Sequence, residues 1–171
     1  FKINNWYGNS IKHVTDMSPG TILDIGAGMG FFLSALDVEW EKHAIEISEY
    51  SSSRISENVD QVTLYNKIDD ITKENYFDVV MFYHVIEHLR NPHEVLKRIH
   101  QVLKPNGTII VGTPNIASIA SKLFRNNFRL YDPGHLFLAT PQSLRQMLAE
   151  NEFSIFREEY PYWKTAYFNF R

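Results

Sequence analysis

Hydrophobic positions along the chain fall into two alternating patterns, short apolar runs and longer stretches with apolar residues three and four apart. The runs Thr21–Ile25, 43–47, Val62–Tyr65, Phe77–Tyr83 and 108–112 predict five strands. Val79, Val80, Met81 and Phe82 form an unbroken apolar run, which suits a strand buried on both faces. The amphipathic stretches between them predict helices. One covers about 30–37 with Phe31, Leu33 and Leu36 on its apolar side, and a second covers Glu49–Asn58 behind the N-cap candidate Ser48. The best-marked helix starts with Asn91 as cap, Pro92 at the first helical position and Glu94 completing a capping box. Its stripe is Val95, Leu96, Ile99, Val102 and Leu103, and Lys104-Pro105-Asn106-Gly107 reads as its end. Thr140-Pro141 opens a last helix to about Glu150, with Asn151 suited to the left-handed position beyond it. Residues 153–160 and 165–170 then read as a closing antiparallel strand pair.

Strands alternating with crossover helices place the chain in the α/β class. The predicted architecture is a Rossmann-like, doubly wound, mostly parallel sheet with helices on both faces and that closing pair at its edge. At 171 residues it fits a single domain over 1–171.

Composition narrows the function classes. Hydrophobic residues at 44% and charged residues at 22% are ordinary for a globular domain, and no apolar stretch approaches the roughly 18 residues of a membrane span. The 17 Lys and Arg against 20 Asp and Glu give a net charge of −3, and the basic residues are scattered, so no nucleic-acid partner is indicated. Zero cysteines exclude disulfides, thiolate metal sites and cysteine nucleophiles. They agree with a reducing compartment, and the expected localisation is cytoplasmic.

The most informative segment is Leu23-Asp24-Ile25-Gly26-Ala27-Gly28-Met29-Gly30, a strand running into glycines that open a helix. Glycine permits a sharp turn and close ligand approach, and free N–H groups at a helix start attract negative charge. A dinucleotide fold asks for a small residue at the sixth position of G-x-G-x-x-G, where this chain has Phe31; its third glycine comes one place early. That spacing fits a shallower turn closing on an amino acid and ribose. Glu46, twenty positions beyond Gly26 and at the end of the second predicted strand, is placed to accept ribose hydroxyls.

Those residues, with Glu46-Ile47-Ser48, Phe77-Asp78-Val79-Val80, Glu87-His88-Leu89, Leu103-Lys104-Pro105-Asn106-Gly107 and Gly134-His135-Leu136-Phe137, resemble class I S-adenosylmethionine-dependent methyltransferases, in the branch similar to ubiquinone-biosynthesis O-methyltransferases. The resemblance covers about 21–153. It implies that Asp24, Gly26 and Gly28 line the methionine part of S-adenosylmethionine, that Glu46 holds the ribose, that Ile68 and Asp69 face the adenine, that Tyr83 and His84 lie beneath the sulfonium, and that Ala27, Gly30 and Ile47 are further cofactor-binding residues. The single domain is expected to divide into an N-terminal helical or cap segment over 1–18, a cofactor-binding half over 19–114 and a substrate-side half over 115–171. The family often carries glycine before the phenylalanine at the end of the last crossover helix, where this chain has Glu152 before Phe153.

His84-Val85-Ile86-Glu87-His88 spaces two histidines four apart, as on one helical face, and spells H-x-x-E-H. The motif follows a buried strand and ends at once in Leu89-Arg90-Asn91-Pro92, which argues against a zinc protease. The resemblance adds that some relatives hold a divalent ion at positions matching His84, Glu87 and His88, with His135 as a possible fourth ligand. Their first ligand is a carboxylate, here His84, so no metal is expected. His135 and His84 are the candidate catalytic residues. His135 either removes a proton from an acceptor hydroxyl or amine, or fixes the Gly134 turn. Trp6, Tyr7, Phe124, Phe128, Tyr131, Tyr162 and Trp163 offer material for a lid.

The expected function is methyl transfer from S-adenosylmethionine to an oxygen or nitrogen of a small-molecule acceptor. The competing readings are an NAD-dependent oxidoreductase, disfavoured by Phe31 and by the lack of a Tyr-x-x-x-Lys pair, and a non-enzymatic S-adenosylmethionine-binding scaffold.

Overall fold

All five residues of strand β1 (Thr21–Ile25) are buried, as a strand covered on both faces requires. In the computed structural model, which describes residues 8–124 and 133–160, β1 lies at the centre of a five-stranded sheet. The other strands are β2 (Glu41–Ile45), β3 (Val62–Tyr65), β4 (Phe77–Tyr83) and β5 (Leu103–Gly112). Their order is β3-β2-β1-β4-β5, and every pair is parallel. The chain therefore builds outward from β1 to β3 and then returns to the other side of β1 at β4. That reversal opens a crevice beyond the carboxyl ends of β1 and β4, the usual ligand position in open α/β sheets.

Successive residues of each strand feed opposite layers. Helix α1 (Gly8–Thr15), α2 (Phe31–Ser34) and α3 (Glu49–Asn58) belong to one layer. There Val14, Phe32, Leu33, Ile55 and Val59 pack with Ile22, Ala44, Val79 and Met81. The opposite layer is made by α4 (Pro92–Val102) and α6 (Pro141–Glu150), with the short α5 (Ile119–Phe124) between them in the chain. Leu96, Ile99, Val102, Met147 and Leu148 pack there with Leu23, Ile25, Val80 and Phe82. Each such side chain contributes about 1.5–3 kcal/mol by leaving water, so Phe82→Ala would cost about 3–5 kcal/mol.

Several elements differ from their sequence expectations. Strand β2 ends at Ile45 because its carbonyl turns to accept the Gly26 and Ala27 N–H groups, at 2.8 and 3.2 Å. Helix α2 is four residues long. After Ser34 the backbone tightens into bonds from Ala35 to Phe32 and from Leu36 to Leu33, the spacing of a 3₁₀ turn. Asn91 precedes α4, but its side chain makes no cap hydrogen bond, so the expected box with Glu94 is absent. Lys104-Pro105-Asn106-Gly107 does not separate α4 from the last strand. It bulges within β5, where Phe77 pairs with Leu103 and Val79 with Thr108, and Lys104 secures it by an ion pair to Asp78 at 2.8 Å.

Helix α6 forms its cap through Thr140 and Ser143, each side chain accepting the other's backbone N–H. The left-handed position beyond it is taken by Glu152, at φ 65°, and not by Asn151, at φ −109°. Asn151 is held by its buried side chain, which donates to the Met147 carbonyl at 2.7 Å and meets His93 Nδ1 at 2.9 Å.

The expected closing strand pair is not formed by the described residues. Residues 153–160 join no ladder among the described residues; Arg145 of α6 pairs with Glu158, and His13 of α1 meets Glu159 at 3.0 Å. Residues 165–170 lie outside the described residues, as do Trp6, Tyr7, Phe128, Tyr131, Tyr162 and Trp163 of the suggested lid. Among the described residues no helix is long and apolar enough to cross a membrane.

Candidate active site

The glycine turn leaves β1 at the sheet's crevice. Gly26, Gly28 and Gly30 all have positive φ, at 72°, 55° and 77°. Two of them serve different ends. A Cβ on Gly26 would lie 2.4 Å from Val85 Cγ2, so its bareness lets the turn after β4 pack against the loop. A Cβ on Gly28 would meet nothing within 4 Å, so its backbone faces open space that a ligand can approach. Gly30 begins α2, and Ala27 is almost fully buried between the glycines.

Glu46 fastens this turn. Its Oε2 accepts the Gly28 N–H at 2.8 Å and its Oε1 accepts the Ser48 N–H at 2.8 Å, tying the loop to the start of α3. Each carboxylate oxygen retains a lone pair, so the group can still accept hydroxyls from a ribose. Asp24 is 3% exposed within β1. Burial, and after it the Glu46 carboxylate, push its pKa up to about 8. A cation placed beside it would favour the ionised form. Ile47 is 87% exposed next to Glu46. Ile68 opens a 3₁₀ turn (Ile68–Asp70) with its side chain in the core, held there as Asp70 accepts the Asn66 and Lys67 N–H groups. Of the two residues assigned to adenine, only Asp69 is exposed.

At the end of β4, Tyr83 is raised above the usual phenol range, by burial first and then by the nearby Glu159 carboxylate. His84 takes a left-handed conformation, φ 56°, so 84–88 is not one helical face; only Ile86–His88 forms a 3₁₀ turn. The His84 Nδ1–H donates to Glu87 Oε1 at 3.1 Å, and Thr113 donates to Glu87 Oε2 at 3.0 Å. Glu87 is 1% exposed. Burial opposes its charge, but the His84 and Thr113 hydrogen bonds outweigh it and hold the carboxyl below its ordinary range. The Glu87 carbonyl also accepts the Leu136 and Phe137 N–H groups, at 2.7 and 3.1 Å, so one residue anchors both histidine-bearing loops.

Tyr83, His84 and Thr113 line a cleft of about 1430 Å³ running along the outer edge of β5. His135 is not among the lining residues. It stacks edge-on to His88, with ring centroids 4.7 Å apart, while His88 Nδ1 meets the Gly134 carbonyl at 3.0 Å. Glu87, His88 and His135 bring three ligand atoms within 4.8 Å of one another, a donor set of two nitrogens and one oxygen. Each Glu87 oxygen also accepts one hydrogen bond, from His84 or Thr113, so a cation at this set would share the carboxylate with those two partners. Sequence reasoning missed Thr113 and Val85, since neither carries a local signal: both act by contact with residues distant in the chain.

Residues 11–158 match the family described as "Methyltransferase domain". The chain belongs to that family. This methyltransferase domain is 30% identical over 110 residues to the ubiquinone biosynthesis O-methyltransferase of Rickettsia canadensis (strain McKiel), covering 61% of the chain and 47% of the relative. It is also 30% identical over 111 residues to phosphoethanolamine N-methyltransferase 2 of Caenorhabditis elegans, covering 59% of the chain and 25% of the relative. The methyltransferase domain thus spans about half the length of the first relative and a quarter of the second. Among solved structures, an S-adenosylmethionine-dependent methyltransferase from Archaeoglobus fulgidus superimposes with a TM-score of 0.71 at 26% identity, covering 86% of the chain and 66% of that structure.

Proposed function

We propose that the chain is an S-adenosylmethionine-dependent methyltransferase acting on an oxygen or nitrogen of a small-molecule acceptor, with the cytoplasm as its expected compartment. The observation that carries this reading is the Gly28–Glu46 arrangement at the sheet's crevice. A backbone with open space where a Cβ would stand, beside a carboxylate fixed by two N–H groups, suits a ligand with a ribose and no pyrophosphate. Family membership and the Archaeoglobus neighbour support the same cofactor and weigh against hydride transfer.

In this proposal the residues divide the work by position. Gly26, Ala27, Gly28 and Gly30 shape the floor, and Asp24 meets the amino-acid ammonium, which stabilises its charged form. Glu46 holds the ribose, and Ile47 with Asp69 borders the base. The bound cofactor supplies an already activated methyl group, so the protein's task is to orient the acceptor and exclude water, with no protein nucleophile. Tyr83 and His84 wall the side from which an acceptor enters. His84 lines the cleft with its ring oriented by buried Glu87, an arrangement that favours it over His135 as base. His135 is left to shape the loop against His88.

The test is calorimetric titration with S-adenosylmethionine and with NAD, followed by turnover of labelled cofactor with oxygen and nitrogen acceptors. Binding of S-adenosylmethionine alone and transfer that survives a chelator are the expected results. Binding of NAD in its place would overturn the reading, and binding without transfer to any acceptor would favour a scaffold.

A further inference from the structure

The turn after β4 is seated between two glycines that belong to different strands' ends. On one side Val85 occupies the space over Gly26. On the other, Tyr83 lies directly across Gly112, its register partner on β5, and a Cβ there would sit 2.2, 2.3 and 2.6 Å from the ring atoms Cε2, Cδ2 and Cζ. Carbon atoms in contact sit about 3.5–4.0 Å apart, so alanine at 112 forces the ring to move. The Gly112 backbone is not in the left-handed region, so the constraint there is close approach and not backbone conformation. The same residue also accepts the His84 N–H on its carbonyl, at 2.7 Å. Gly112 thus seats Tyr83, which ends β4, and His84, which follows it, and the next residue, Val85, presses on the cofactor loop at Gly26.

We infer that Gly112 is a positioning residue for the cofactor: by leaving room for the Tyr83 ring and holding the His84 backbone, it sets how the 83–85 turn bears on Gly26. This rests on the proposed function, because it takes the glycine turn as the S-adenosylmethionine site. A bulkier residue at 112 pushes Tyr83 out, drags His84 with it and loosens the contact of Val85 with the loop. The effect travels through van der Waals contact, since packed side chains transmit displacement where there is no void to absorb it.

The experiment is a double-mutant cycle read by calorimetric binding of S-adenosylhomocysteine, with Gly112→Ala, Tyr83→Ala and the pair. Gly112→Ala is expected to weaken binding about tenfold or more, while in the Tyr83→Ala background the same change should matter less than about twofold. Gly20→Ala is the control. Its Cβ would lie 2.4 Å from Asp78 Oδ2 at the opposite end of the sheet, so it lowers melting temperature without moving affinity. Unchanged affinity in Gly112→Ala, or an equal loss with and without Tyr83, overturns the inference. If Gly112→Ala alone fails to fold, the pair decides: recovery of folding and of Tyr83→Ala affinity supports the assignment, and no recovery ends it. Wild-type protein that binds no S-adenosylhomocysteine refutes the proposed function itself, and is distinguished by being seen before any substitution.

Discussion

The Glu46 carboxylate accepts the Gly28 N–H at 2.8 Å, so the residue assigned to the cofactor ribose also fastens the loop on which the cofactor would rest. Glu46→Ala therefore removes two backbone anchors and the ribose acceptor together. Cofactor affinity should fall by roughly 1–3 kcal/mol, about tenfold to a hundredfold, in a calorimetric titration. Affinity equal to wild type would sink the ribose assignment.

Asp24 is expected to make the ligand-free protein less stable as pH rises. Its carboxyl titrates near 3.8 when unfolded and at about 8 when folded, because burial and Glu46 disfavour the charge. Between those values the folded state holds the extra proton, so stability falls from about pH 4 to about pH 8 and is level on either side. Asp24→Asn should raise stability at pH 7 by roughly 2–4 kcal/mol and flatten that slope in urea unfolding. It should also weaken cofactor binding, which in the wild type should release a proton at pH 7. A wild-type slope that persists in Asp24→Asn would place the titration elsewhere.

His84 and His135 should separate by turnover. His84 lines the cleft with its ring oriented by Glu87, whereas His135 stacks on His88. With a hydroxyl acceptor, His84→Ala should lower kcat by about 10²-fold to 10⁴-fold with cofactor affinity nearly unchanged, while His135→Ala should mainly raise the acceptor's KM. The reverse ranking would return the base to His135.

Glu152 occupies a left-handed conformation at φ 65°, which a side chain destabilises by about 1 kcal/mol. Glu152→Gly should raise the melting temperature by roughly 2–4 °C with no change in cofactor binding. A lower melting temperature would mean that this side chain contributes more than its backbone strain costs.

The parallel sheet, its strand positions and the glycine turn were legible in the sequence because they follow from local causes. Unbroken apolar runs such as Val79–Phe82 specify a strand buried on both faces, and Gly26, Gly28 and Gly30 specify positive φ. The place of Glu46 beside the glycine turn was legible by its spacing from Gly26, but its hydrogen bond to the Gly28 N–H was not. What the tertiary structure alone decided are relations between distant residues. Glu87 joins His84 to Thr113, twenty-six residues away, and its carbonyl carries the loop of His135, links that could not be read from the H-x-x-E-H pattern. The helix-end conformation passed to Glu152 because Asn151 found partners in Met147 and His93, a competition invisible to local propensity. Local pattern fixes what a segment is able to form, and long-range contacts choose among the available partners.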